Sequence, residues 1–163
     1  MVDLYRKNVG IVVCRKGKVL MCARADQKDL QWQFPQGGIE KGEDVIAAAK
    51  RELAEETGII SVHLLQKMPQ PLRYDFPKGN RVHGFAPYKG QEQTWVLFAF
   101  TGSDDEIDFL TNPQEIEFQE IEFKAFEWVD IFEAPQRIIA FKKPVYLRVA
   151  DYFAPYVKEN ADE

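Results

Sequence analysis

The sequence predicts a layered α/β domain, with helices covering both faces of a sheet. Three features carry that expectation. Six short runs rich in β-branched and aromatic residues read as strands. Residues 43–57 form an Ala-, Glu- and Leu-rich stretch that stops at Gly58. Residues 144–157 carry apolar side chains at helical spacing. Strands interspersed with two main helices imply a helix–sheet–helix arrangement. The 163 residues, 45% of them hydrophobic and 13% aromatic, suit a single core. We read residues 1–158 as one domain and 159–163 as a short acidic tail.

In chain order, residues 8–14 and 18–23 are strand-like and flank a turn in which Gly17 supplies a positive φ. Residues 27–42 are punctuated by Pro35, Gly37, Gly38 and Gly42 and read as loop with short extended pieces. The helix at 43–57 has acids in its first turn. Strands follow at 62–67 and 72–76, then an exposed loop over 77–91, a strong strand at 94–101, and an aromatic-rich strand at 123–129.

Composition narrows the function classes. No apolar run is long enough to span a bilayer, and the charged N-terminus lacks a signal core, so a cytoplasmic protein with no membrane role is expected. A tight hairpin puts Cys14 opposite Val19 and Cys22 opposite about Ile11, out of register for a disulfide; two core thiols are expected. The net charge of −5 argues against a protein that coats nucleic acid, but not against one that grips a single phosphorylated end. Small basic clusters lie at Arg6/Lys7, at Arg24, at Lys78/Arg81, and at Arg137 with Lys142/Lys143. Each alone reads as solvated surface. His63 and His83 receive no role.

The chemistry lies on the first helix. Ile46, Ala49 and Leu53 form one apolar stripe, while Glu52, Glu55 and Glu56 cluster beside it at i, i+3 and i+4. Two explanations stand at this point. The acids are a solvated face softened by Arg51, or a hard divalent cation offsets their repulsion. The preceding Phe34-Pro35-Gln36-Gly37-Gly38-Ile39-Glu40-Lys41-Gly42-Glu43 favours the second, because it brings flexible backbone and its carbonyls to the helix start.

Gly37-x5-Glu43-x7-Arg51-Glu52-Leu53-x-Glu55-Glu56-x-Gly58-Ile59 resembles the Nudix box, with all nine specified positions filled. The resemblance implies an α/β/α sandwich around a mixed sheet and hydrolysis of a diphosphate linkage using Mg²⁺, with Mn²⁺ able to substitute and two or more ions expected. It assigns Glu52, Glu55, Glu56 and the Gly37 carbonyl to the metal. Glu43 and Arg51 become braces of the loop–helix unit. Glu56 or Glu52 is implied as the base that activates water.

Flanking segments resemble the bacterial RNA pyrophosphohydrolases and the related dinucleoside tetraphosphate hydrolases. They are Tyr5-Arg6-Lys7-Asn8-Val9-Gly10-Ile11, Trp32 to Gly38, Tyr88-Lys89-Gly90-Gln91-x-Gln93-x-Trp95, Glu122-Phe123-x-x-Phe126-x-Trp128 and Phe141-Lys142-Lys143-x-Val145-Tyr146. By that likeness Glu122 is a fourth metal carboxylate, with Glu117 the competing assignment. Arg6, Arg24, Gln91, Ile139, Phe141 and Lys142 become substrate contacts. Removal of pyrophosphate from 5′-triphosphorylated RNA, initiating mRNA decay, is the expected activity. The alternatives are diadenosine tetraphosphate cleavage to ATP and AMP, or hydrolysis of free (d)NTPs. A non-catalytic nucleotide sensor is disfavoured because no box carboxylate is missing.

Overall fold

The computed structural model describes residues 4–24, 31–77, 88–109 and 123–161. Eight strands build one mixed sheet: β1 (Tyr5–Arg15), β2 (Lys18–Arg24), β3 (Trp32–Gln33), β4 (Gln36–Gly38), β5 (Val62–Lys67), β6 (Leu72–Asp75), β7 (Gly90–Phe100) and β8 (Phe123–Val129). Its central path runs β3-β2-β1-β7-β5, with β4 on β1, β6 on β7 and β8 on β2. Only β1 and β7 run parallel among the described pairs. Helix α1 (Val45–Thr57) covers one face; α2 (Ala134–Arg137) and α3 (Lys143–Glu159) cover the other.

Alternation along β1 and β7 divides the core in two. Val9, Ile11, Val13, Val96 and Phe98 pack toward α1 with Ala48, Ala49 and Leu53. Val12, Trp95 and Leu97 pack toward α3 with Tyr146, Val149 and Phe153. Ile46 is only partly buried at the edge of the α1 layer. Cys14 and Cys22 are both buried thiols, and they lie in different layers.

The β1–β2 hairpin departs from the expected register. Cys14 does face Val19, with Lys16 and Gly17 both at positive φ in the turn. Beyond Cys14–Val19, however, the strands diverge. Cys22 pairs with Gln33 and Phe126, not with Ile11. The segment carrying β3 and β4 wedges into the opening: Ala23 pairs with Trp32, and Val9 with Gly37. Backbone bonds Ile11 N–Pro35 O and Arg24 N–Gln31 O, each 2.9 Å, close the seams. This wedge seats Gly37 and Gly38 on the sheet beside α1.

The helix start also differs. Asp44 is the N-cap, accepting from Ala47 N at 3.1 Å, and the first turn holds no acid. Glu43 stays outside because its carboxylate is held by Arg51 and Glu40 N. Gly58 ends the helix in the left-handed conformation, φ 78°, as its position predicts. Residues 78–87, including Lys78, Arg81 and His83, lie outside the described residues, and β7 begins at Gly90, earlier than expected, because it pairs with β6 from Asp75 upward. No helix among the described residues is long and apolar enough to cross a membrane.

Candidate active site

Arg51 organises the catalytic face of α1. Its Nε and Nη2 grip the two oxygens of Glu43 at 2.8 and 2.9 Å, and Nη2 also donates to Gly38 O at 3.0 Å. Nη1 donates to Glu52 Oε1 at 2.8 Å and to Glu55 Oε2 at 3.4 Å. One planar guanidinium thus ties the glycine strap, the loop before the helix and two helix acids together. Hydrogen bonds from Arg51, then from the Glu40 backbone, hold the Glu43 carboxyl down to about 2. Glu43 and Glu52 in return push the Arg51 pKa up.

Glu52 lies against the strap. A Cβ built on Gly37 would stand 2.0 Å from Glu52 Cδ and 2.2 Å from Oε2, so a larger residue there would displace the Glu52 carboxylate. Burial raises the Glu52 carboxyl above its ordinary value, and the Glu55 charge adds to this, against the lowering by Arg51 and Arg6. The Oε2 of Glu56 is buried.

The donor chemistry fits a hard divalent cation: three carboxylates on one helix face, one of them pressed on the Gly37 backbone. Among the described residues no three acids, histidines or cysteines stand close enough to share an ion, because Arg51 draws Glu52 and Glu55 to itself. Glu122 and Glu117 lie outside the described residues.

On the other side of the strap a polar and aromatic cluster lies on the α3 face. A Cβ on Gly38 would meet Nη2 of Arg6 at 2.2 Å, so the tip of the Arg6 guanidinium abuts the strap. Arg24 Nη1 donates to Gln33 Oε1 at 3.2 Å. Phe141 packs on Tyr74 with ring centroids 5.7 Å apart, and Lys142 Nζ sits 5.4 Å from the Tyr74 ring. Both Arg6 and Arg24 act electrostatically on the Tyr74 oxygen. Two of the expected substrate contacts, Phe141 and Lys142, lie against Tyr74, and Arg6 stands two strands away at the same register, across Gln91. Gln91 is buried beside them, cross-strand from Arg6 and Tyr74, and its Oε1 has no hydrogen-bond partner among the described residues. Ile139 is exposed ahead of the 140–142 turn, without a recorded contact in the cluster.

Arg137 belongs elsewhere. It bonds Glu127 and Glu133 and lies 5.4 Å from the Trp32 ring, bracing α2 against β8 and β3. Its neighbours Lys142 and Lys143 do not share that position.

Sequence reading missed Tyr74, Gln36, Asn8 and Gln93. Gln93 Nε2 donates to Asn8 Oδ1 and to Gln36 Oε1, each at 2.9 Å, and Asn8 and Gln93 are 1% exposed. A signal was available: Gln91 and Gln93 alternate with period two into Trp95, on a strand face that should be apolar throughout.

Comparison with known proteins shows the family. The NUDIX domain family model matches residues 4–149. The RNA pyrophosphohydrolase of Acidiphilium cryptum is 40% identical over 162 residues, covering 96% of this chain and 94% of that protein. Nudix hydrolase 26, chloroplastic, of Arabidopsis thaliana is 38% identical over 158 residues, covering 94% of this chain and 71% of that protein. Among solved structures, the E. coli dihydroneopterin triphosphate pyrophosphohydrolase superposes with a TM-score of 0.67 at 22% identity, covering 90% of this chain and 97% of that one, and shares the fold. A family match across nearly the whole chain, a relative 40% identical end to end and an intact loop–helix unit make this protein a member of the Nudix hydrolase family.

Proposed function

We propose that this hydrolase removes pyrophosphate from 5′-triphosphorylated RNA and leaves a 5′-monophosphate. The observation that carries the proposal is the cluster beside the glycine strap, where Lys142 lies over the Tyr74–Phe141 pair and Arg6 reaches Gly38. Cations next to the strap suit a phosphate chain, and an aromatic pair at the far side suits a base. A relative that is 40% identical and named for this activity supports the same reading.

Nudix hydrolases generally use divalent metal ions such as Mg²⁺. Here Glu52, Glu55, Glu56 and the Gly37 carbonyl would hold the ion, with Glu122 as a further carboxylate; when bound, it neutralises the phosphate oxygens and orients the attacking water. The chain's own groups do the rest. Water adds across one phosphoanhydride bond, and pyrophosphate leaves. Glu52 is one acceptor for the water's proton, its Oε1 engaged by Arg51 and its Oε2 against Gly37. Glu56 is the alternative base. Arg6 on the strap offsets charge on the leaving phosphates.

The test is a comparison of kcat/KM on triphosphorylated RNA, diadenosine tetraphosphate and (d)NTPs with Mg²⁺ or Mn²⁺. RNA is expected to be preferred. A preference of about 100-fold or more for the dinucleotide, about 2.7 kcal/mol of transition-state discrimination, would replace this reading with an asymmetric tetraphosphate hydrolase.

A further inference from the structure

We infer that the groove between β6 and the start of α3 binds the RNA chain beyond its first base, with Arg148 holding a phosphodiester there. The groove has a volume of about 340 Å³ and is lined by Pro71, Leu72 and Arg73 on the β6 side and by Pro144, Val145 and Arg148 of α3. It continues the cluster assigned under Proposed function. Leu72 lies two residues before Tyr74 on β6, on the same face of the sheet and in the same core layer. Pro144 and Val145 follow Phe141 and Lys142 directly as the chain turns into α3. Leu72 and Val145 are buried and form an apolar floor, with the exposed Pro71 and Pro144 at the rim. Such a floor suits the face of a base or ribose.

The charges point to a chain of phosphates. Arg73 is spoken for on the opposite face, where it pairs with Glu92 at 2.9 Å and lies over the Tyr5 ring. Arg148 is exposed and has no recorded ion pair among the described residues, although Asp151 stands one turn on. The start of α3 carries the wrong sign for a helix with nothing bound. Lys142 is its N-cap, Lys143 its first residue, and no acid lies in its first turn, whereas the positive end of a helix dipole disfavours cations. Anions bound along Lys142, Lys143 and Arg148 remove that conflict. Lys142 and Arg148 are separated by about 9 Å of helix rise, too far to share one phosphate and suited to successive ones. An RNA chain presents a charge at each point. A dinucleoside tetraphosphate does not, because all its phosphates lie between the two nucleosides and its far end is neutral.

This inference rests on the RNA reading given under Proposed function. Its test compares full-length wild type, Arg148→Ala and Arg148→Glu on a triphosphorylated dinucleotide and a triphosphorylated hexanucleotide of the same 5′ sequence. Each kcat/KM is measured over a series of salt concentrations, with thermal melts of each protein. Wild type is expected to prefer the hexanucleotide. Arg148→Ala should lower kcat/KM on the hexanucleotide about fivefold, leave the dinucleotide within about twofold and flatten the salt dependence, with Tm unchanged. Arg148→Glu should lose more on the hexanucleotide, by repulsion. Equal losses on both lengths, or no loss on the hexanucleotide, overturn the groove. Fluorescence anisotropy with a 5′-monophosphorylated hexanucleotide reads the groove without hydrolysis. Binding that Arg148→Glu weakens about fivefold or more upholds the groove even if diadenosine tetraphosphate is the compound cleaved, and then the substrate reading alone fails. Equal binding by wild type and Arg148→Glu overturns the groove and leaves RNA cleavage standing.

Discussion

The carboxylate of Glu52 occupies the space that a side chain at Gly37 would fill, with its Cδ 2.0 Å from where a Cβ would stand. Strap and helix are thus fitted to one another at the point where the proposed reaction takes place. Gly37→Ala should leave the β1–β4 pairing intact but expel Glu52 from its seat. The expected result is a loss of kcat of about 100-fold or more with a modest fall in Tm. Activity within a few-fold of wild type, measured on a protein of normal melting behaviour, would show that the contact is dispensable.

Arg51 makes five hydrogen bonds to four residues, which a lysine cannot reproduce. Arg51→Lys retains charge and loses the fork. We expect it to cost about 2 kcal/mol of stability and to reduce kcat by about 100-fold, because Glu43, Gly38 and Glu52 lose their common anchor. Chemical denaturation and steady-state kinetics check the two effects separately. A near-normal Arg51→Lys enzyme would mean that charge alone suffices.

Glu43 gives a pH signature. Its folded pKa of about 2 lies below the ordinary 4.5, so the clamp contributes stability that is fully present above pH 4.5 and is lost as pH falls toward 2. Glu43→Gln should be less stable at neutral pH and should show a flatter decline across that window. Thermal melts of both proteins from pH 7 to 2 provide the measurement, and parallel curves would contradict the assignment.

Much of this was legible in the sequence, for physical reasons that differ by element. Helix α1 announced itself through propensity, an Ala-rich face and Gly58, because those are local properties. The spacing of the box acids at i, i+3 and i+4 left a solvated face and a metal site both open, and the glycine loop before the helix decided between them. The wedge of β3 and β4 between β1 and β2 was not legible. A hairpin register continues by default, and only the long-range bonds Ile11–Pro35 and Arg24–Gln31 break it. The cluster was half legible. Its cations stood out as small clusters, yet Arg137 looked equivalent to Lys142 until Glu127, Glu133 and Trp32 claimed it. Tyr74 was hidden in an ordinary strand, because Phe141 and Lys142, which lie against it, come from a segment far along the chain.

The acid face predicts a coupling between metal and stability. Glu52, Glu55 and Glu56 crowd one side of α1, and Arg51 pairs with two of them, Glu52 and Glu55. Added Mg²⁺ or Mn²⁺ should therefore raise Tm of the wild type, and EDTA should reverse the shift. Glu55→Gln and Glu56→Gln should each lose most of that shift together with about 100-fold or more of activity, while the metal-free proteins melt no lower than wild type. Full activity in either variant with the fold intact would remove that residue from the metal site.

Phe141 separates binding from chemistry. It is only partly buried, packs at a tilt on Tyr74 and carries Lys142 above it, so its ring is available to a base. It lies on the α3 side of the strap, away from Glu52 and the water it would activate. Truncation to Phe141→Ala should then weaken substrate binding without disturbing the reacting atoms. The expected outcome is a rise in KM for triphosphorylated RNA of about 10-fold, from one lost base–aromatic stack, with kcat changed by less than about threefold. Phe141→Tyr should retain most of the affinity. If Phe141 were ordinary core packing, the alanine variant would instead lose Tm and leave KM unaltered, a pattern that kinetics and melting curves on the same preparation distinguish directly.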